Sequence, residues 1–331
     1  MLLRIFKGTG PGVIFLIIII LIALWISAIL NQRLHPRFIY ETDPMPLYGL
    51  IKLMIHNSHN LGVVLSFLMV SLMAFLMVNF NTNVFFINVR TFLPALFYVM
   101  LGGFFPDQQL LNPVIPASIF LMVAIIRIMD GYHNTGTAYN YFDAGILIST
   151  GSLFYANLIW FGLLLIIGIA LLRTGNLKEI VISIIGLLTP YAITFGIYYV
   201  IGRDVETLMK LVVNNLFTKS IYYHFQKVTI VALIFSTVLI LVSLVHLINH
   251  MSAKKIKSRK TFSLMIWVFL ISIIVYLALP SASIEIVWLT SIPVSYFLTH
   301  YFVFVKKKLV PEIFFSLFFV FILVIQIWYL R

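Results

Sequence analysis

Apolar runs follow one another along the whole chain with only brief polar breaks, and that succession leaves few folds open. Eleven segments stand out, at residues 13–30, 61–78, 92–105, 114–128, 144–156, 158–172, 180–201, 228–248, 262–279, 284–303 and 313–330. A bilayer core about 30 Å thick needs about 20 apolar residues per helical crossing, and only helices or closed barrels satisfy every backbone polar group inside it. Long unbroken runs read as helices. The expected fold is therefore all-α, a polytopic transmembrane bundle of about eleven spans. A range of about nine to twelve is admitted. Segments 92–105, 114–128, 144–156 and 158–172 are short, and suit tilted, re-entrant or half-spanning pieces.

Composition agrees: 62% of the 331 residues are hydrophobic and only 10% charged, more apolar surface than one soluble core could bury. Cysteine is absent, which excludes disulfides, zinc-thiolate and iron-sulfur sites and thiol nucleophiles. The first run follows a basic start but is long for a signal peptide and lacks a small-x-small cleavage site, so a retained first span is expected. No repeat, linker or low-complexity tract divides the chain. It reads as one membrane domain over 1–331, with a core at 13–201, an outer interfacial segment at 202–227 and four C-terminal spans in 228–331.

The net charge of +12 comes from residues at the ends of apolar runs, where they set topology and meet anionic headgroups. Nucleic acid is not an expected partner; membrane lipids are. With a cytoplasmic N-terminus, 14 of the 22 lysines and arginines fall in inner loops, the groups 254–260 and 306–308 foremost. The C-terminus is then outside. Two outer segments exceed the needs of a turn, 31–60 and 202–227. Within them, 47–56 and 205–217 have apolar positions near helical spacing and suit interfacial helices, either as ordinary connectors or as caps over a membrane-embedded cavity.

Three polar groups could carry chemistry. The first outer segment places Arg33 and Arg37 near Glu41 and Asp43; a carboxylate there could serve as general base while the arginines neutralise a lipid phosphate. A solvated loop with surface ion pairs is the plain alternative. In the second, Arg203 and His224 stand at opposite ends and could hold phosphate. Third, Asp130, His133 and Asp143 belong to the inner break at 130–143 and could form a proton relay if buried, with Arg127 beside them either in the same intramembrane polar site or snorkelling to the inner surface, although the neighbouring Gly131, Asn134, Gly136 and Asn140 are turn residues that favour exposure. His56 and His59 share a helical face but lack further ligands, and read as a polar turn. No metal is indicated, although a divalent ion is admissible beside the first-loop carboxylates. No organic cofactor is expected, since nucleotide-binding glycine motifs and a nucleophile elbow are missing.

Residues 13–201 resemble the membrane core of the GT-C glycosyltransferase superfamily. The points of resemblance are the acidic outer loop with Glu41 and Asp43, Arg90 before the short segment ending Phe105-Pro106-Asp107, the Gly-containing stretch from Asp143, and the basic turn at Arg173. The resemblance implies transfer of a sugar from a polyprenyl-phosphate donor at the outer face, with Asp43 or Glu41 as base and Arg33, Arg37 and Arg203 on the lipid phosphate. An Asp-x-Asp pair and a soluble outer C-terminal domain are both missing, departures from that pattern. Residues 172–191 look more specifically like an uncharacterised family of bacterial polytopic inner-membrane proteins, a resemblance that brings no activity with it. A lipid or solute transporter, and a non-catalytic subunit among envelope protein partners, remain open.

Overall fold

The computed structural model describes residues 2–30, 42–56, 58–132, 138–172, 177–219, 225–306 and 309–329. Among these the regular structure is helical, with no strand. In chain order the α-helices are α1 (Leu2–Phe6), α2 (Pro11–Leu30), α3 (Pro46–Ile55), α4 (His59–Val84), α5 (Leu93–Gly102), α6 (Val114–Asp130) and α7 (Ala138–Ser152). They continue with α8 (Leu163–Leu172), α9 (Leu177–Val200), α10 (Val205–Phe217), α11 (Lys227–Asn249), α12 (Ile256–Ala278), α13 (Val287–Phe304) and α14 (Leu309–Tyr329). Short 3-10 segments at Pro106–Gln109, Ala156–Gly162 and Ile284–Ile286 precede α6, α8 and α13.

The eleven apolar segments are largely helical, but among the described residues seven helices, not eleven, are long and apolar enough to cross a bilayer: α2, α4, α9, α11, α12, Ile284–Phe304 and α14. The protein is a multi-pass membrane protein. Segments 92–105, 114–128, 144–156 and 158–172 form the shorter elements α5, α6, α7 and α8 with its leading turn. Their shortness has a physical basis, because protein surrounds much of them and their length need not match the lipid. All ten residues of α5 are buried.

Helix α13 is the axis of the bundle, with 83% of its apolar window buried against only 17% for α9 at the periphery. Aromatic side chains fill the space around it. Phe97 stacks on Phe302 with ring centroids 5.2 Å apart, Phe86 meets Tyr296 at 5.0 Å, and Trp288 packs on Tyr98 at 5.6 Å. Two glycine contacts bring elements closer than any side chain would allow. A Cβ on Gly102 would lie 2.2 Å from the Trp288 ring, and one on Gly186 of α9 only 2.4 Å from the Phe142 carbonyl oxygen of α7. Small residues that let backbones approach are the usual means of tight helix association where lipid, as apolar as the core, gives no hydrophobic drive.

Contacts between sequence-distant segments define two ends. At one, Leu47 N–H donates to Leu153 O (3.1 Å), Asn157 pairs with Ser281, and Tyr329 with Asp107. At the other, Leu3 N–H donates to Glu312 (3.2 Å), Lys260 to Leu171 O, and Phe6 packs on Phe315. The second end carries Lys254 to Lys260 and is called the basic end below; the first is the cavity end.

Candidate functional site

A cavity of about 540 Å³ opens at the cavity end, between α3 and the start of α4. Helix α3 explains it. Pro46 occupies its first turn, where a missing N–H costs nothing, and His56 closes it in the left-handed conformation (φ 51°, ψ 34°). Tyr48, Lys52 and Ile55, spaced i, i+4, i+7, line the cavity, whereas Leu50, Leu53 and Met54 on the opposite face are 56%, 72% and 82% exposed. A helix whose apolar face points away from the protein belongs at the lipid-headgroup boundary. It is fastened by Leu47 N–H and by the Tyr48 hydroxyl, which donates to Leu111 O (3.1 Å).

The cavity's polar wall is completed by Thr42, Ser58 and His59, its apolar wall by Leu110, Leu111 and the α4 residues Gly62 and Val63. His59 is anchored through Nε2 to Ala28 O (3.0 Å), which ties the start of α4 to the end of α2. About one turn further along α4 begins an apolar groove of about 420 Å³, lined by Ile14, Ile18 and Leu21 of α2 and by Phe67, Phe75 and Val78 of α4. Cavity and groove together accompany α4 from His59 to Val78, about 29 Å at 1.5 Å per residue. That is the thickness of a bilayer's hydrocarbon core.

Behind the cavity lies a belt of buried amides and hydroxyls. Ser66 donates to Gln109 O (2.6 Å), the Trp288 indole N–H to Gln108 O (3.0 Å), and Gln326 to Gly103 O (2.8 Å). Asn112 caps the start of α6, its Oδ1 accepting from Val114 N–H (3.1 Å) and Ile115 N–H (3.2 Å). Beside this belt, Glu285 is 1% exposed. Its Oε1 accepts from Ser283 N–H (2.9 Å) and from the Tyr155 hydroxyl (3.2 Å), while Oε2 has no partner. Tyr48 packs with Leu111, Phe154 and Ile284, so one side chain separates the cavity from this carboxyl's neighbourhood.

The structure brings some sequence-nominated residues together and separates others. Asp43 adjoins Thr42 of the cavity wall, and its carbonyl oxygen accepts from Asn215 near the end of α10 (2.9 Å). Arg203 lies before the start of that helix with its guanidinium over the Tyr198 ring (5.7 Å). Asp204 caps α10 through Glu206 N–H (3.0 Å), and Glu206 pairs with Lys210 (2.7 Å) on the surface. Arg127 and Asp130 are exposed and Asp143 is half-buried, so these three do not form an enclosed relay. Arg33, Arg37, Glu41, His133 and His224 lie outside the described residues. Among the described residues no three His, Asp or Glu are placed to hold a metal ion.

Sequence reasoning missed Lys52, although it lies in the segment expected to be interfacial. Its signal was a lysine one turn from a tyrosine on the less apolar face of α3. Gln108, Gln109 and Gln326 gave no signal beyond being amides within apolar surroundings.

The class defined here is a helical, multi-pass membrane protein with a cavity under a short amphipathic helix. The family model of DUF6427, a family of unknown function, matches residues 45–331, and the chain belongs to that family. No curated protein and no solved structure matches it.

Proposed function

We propose that the cavity receives the phosphate-bearing head of a membrane lipid and that the protein transfers a sugar from a polyprenyl-phosphate donor bound there. The observation that carries the lipid reading is α3, a helix that turns its apolar face to the bilayer and its Tyr48 and Lys52 to a cavity beside His59. A cavity of 540 Å³ suits a phosphosugar head, within the usual ligand range of about 300–1,000 Å³. The groove between α2 and α4 offers an apolar bed for the tail.

In this scheme the acceptor hydroxyl attacks the anomeric carbon and gives its proton to Asp43. The bond from that carbon to the phosphate oxygen breaks, and polyprenyl phosphate leaves as an anion beside Lys52 and His59. Glu41, Arg33 and Arg37 precede Thr42 in the chain and would supply further acid-base and phosphate-binding groups. The cavity end would face outward from a bacterial inner membrane, with the basic end in the cytoplasm, as the clustered lysines favour. Placement of charge supports chemistry at one end over passage through the bundle. In α2, α4, α5, α8 and α13 no Asp, Glu, Lys or Arg occurs, and in α9, α12 and α14 all are within the opening turns.

The test is complementation of a deletion strain with Asp43→Asn, Lys52→Ala and His59→Gln at matched expression, with lipid-linked sugars read by mass spectrometry. Accumulation of the donor and loss of the sugar from its acceptor are expected. Wild-type lipid profiles from all three variants would overturn the transferase reading.

A further inference from the structure

At the basic end, away from the cavity, four basic side chains converge with no acid among the described residues acting on their histidines. His246 and His250 sit on successive turns at the end of α11 with ring centroids 4.3 Å apart. His300 of α13 lies 5.4 Å from His246 and is 1% exposed. The Lys254 ammonium rests over two ring faces, Phe262 at 5.0 Å and Phe304 at 4.9 Å, and both rings also pack on His300, at 5.4 Å and 4.9 Å. Burial lowers the Lys254 pKa from the ordinary lysine value.

The charges that act on His300 are those of Lys254, His246 and His250, and those that act on His246 are His250 and Lys254. All are basic. Of the acids of this end, Glu312 accepts from Leu3 and acts on Lys7, Asp130 faces Arg127 and Lys257, and Asp143 of α7 and Glu179 of α9 are not among the charges that act on His246 or His300. The loop segments 133–137, 173–176 and 307–308 contain neither Asp nor Glu. Among the described residues no carboxylate acts on the cluster's histidines as a counter-ion. A second observation points the same way: His246 Nδ1 and His300 Nδ1 are both buried with no hydrogen-bond partner, a condition native proteins rarely leave uncompensated.

We propose that His246, His250, Lys254 and His300 form a binding site for a phosphate group, presented by an anionic membrane lipid. Depth fits this ligand. His246 and His300 lie within about one turn of the ends of their helices, about 5 Å inside, where lipid phosphates meet helix termini. A graded entrance is also present, from exposed His250, through half-buried His246 and Lys254, to buried His300. A metal ion would meet the adjacent ammonium, which repels it. The site differs from the cavity end in position and residues, and stands whether or not sugar transfer occurs there.

The experiment uses the full chain in phosphatidylcholine nanodiscs doped with phosphatidylglycerol, with retained lipid measured by native mass spectrometry and inorganic phosphate titrated as a competitor. Lys254→Ala and His250→Gln alter accessible members of the cluster without touching the buried His300. Lys255→Ala removes an exposed neighbouring charge as control. Retention of phosphatidylglycerol is expected to fall about tenfold in the first two and to hold in the third, the scale of one charge-assisted hydrogen bond. Inorganic phosphate binding that depends on Lys254, with no lipid preference, would keep the phosphate site but assign it to a soluble source. Equal losses in Lys254→Ala and Lys255→Ala, or binding of neither phosphate nor phosphatidylglycerol, would overturn the site.

Discussion

Helix α9 carries two glycines whose surroundings predict opposite responses to one methyl group. A Cβ at Gly186 would stand 2.4 Å from the Phe142 carbonyl oxygen, against 3.4–4 Å for ordinary contact, so α7 and α9 must separate by about 1 Å. The obstacle is backbone, which cannot rotate aside. Gly145 meets α9 from the other side, its Cβ 2.6 Å from Ser183 O, so the crossing has no slack. Overpacking of this kind costs about 1–3 kcal/mol, and replacing a helical glycine by alanine recovers up to about 1 kcal/mol. The clash wins, and Gly186→Ala should lose about 1–2 kcal/mol. Gly196, ten residues on, has nothing within 4 Å, and Gly196→Ala should gain about 0.4–1 kcal/mol. Thermal unfolding of the purified protein in one detergent would rank the two on either side of wild type. The pair Gly145→Ala/Gly186→Ala should cost less than the sum of its parts, because both open one crossing. A Gly186→Ala protein as stable as Gly196→Ala would refute the close approach of α7 and α9.

Further outcomes follow from other contacts. Glu285→Gln keeps an acceptor for Tyr155 and Ser283 and should unfold near the wild-type temperature, whereas Glu285→Ala leaves both donors unpaired and should lose about 2 kcal/mol or more, read by the same assay. Gly102→Ala drives a Cβ into the Trp288 ring and should destabilise by about 1–3 kcal/mol; tryptophan fluorescence that does not change would count against the contact. Because the chain lacks cysteine, Ser252→Cys at the basic end and Thr218→Cys at the cavity end, both exposed, should react with a membrane-impermeant thiol reagent from opposite faces of sealed vesicles.

Much of the secondary structure was legible because bilayer solubility imposes length and composition on each segment. The helices at 46–55 and 205–217 were legible for a related reason, since their charges and apolar residues recur at helical spacing. What could not be read was which spans lie inside. Helices α5 and α13 are apolar on all sides, and so is lipid-facing α2, because lipid and core select the same side chains. Of the nominated site, Asp43 follows the cavity-lining Thr42 in the chain, while Arg203 stands before the start of α10 over the Tyr198 ring. Lys52 and the three histidines went unnominated, because a lysine in an amphipathic helix and a histidine pair four apart at a span's end are common in isolation. Only the folding of α13 against α11 gathers His300 onto that pair.

The two ends differ in how their polar groups are balanced, and the difference bears on what each can bind. At the cavity end the buried groups are amides, hydroxyls and one carboxyl, tied in part to backbone carbonyls and to one another: Ser66 donates to Gln109 O, the Trp288 indole to Gln108 O, Asn157 pairs with Ser281 and Tyr155 donates to Glu285, while Gln108 Nε2, Gln109 Nε2 and Glu285 Oε2 have no partner. Such a mixture of donors and acceptors suits a wall behind a cavity whose rim carries Lys52 and His59. At the basic end the cluster is unsatisfied and of one sign, so its stability depends on what surrounds it. A ligand that binds only the folded chain stabilises it in proportion to the logarithm of its concentration over its dissociation constant. Anionic lipid should therefore raise the unfolding temperature through the basic end, and Lys254→Ala should remove that increment. A donor lipid seated at the cavity should raise it through Lys52. If a single substitution abolished both increments, the two ends would be coupled through α13, the element that runs from Trp288 at the cavity end to His300 at the basic end.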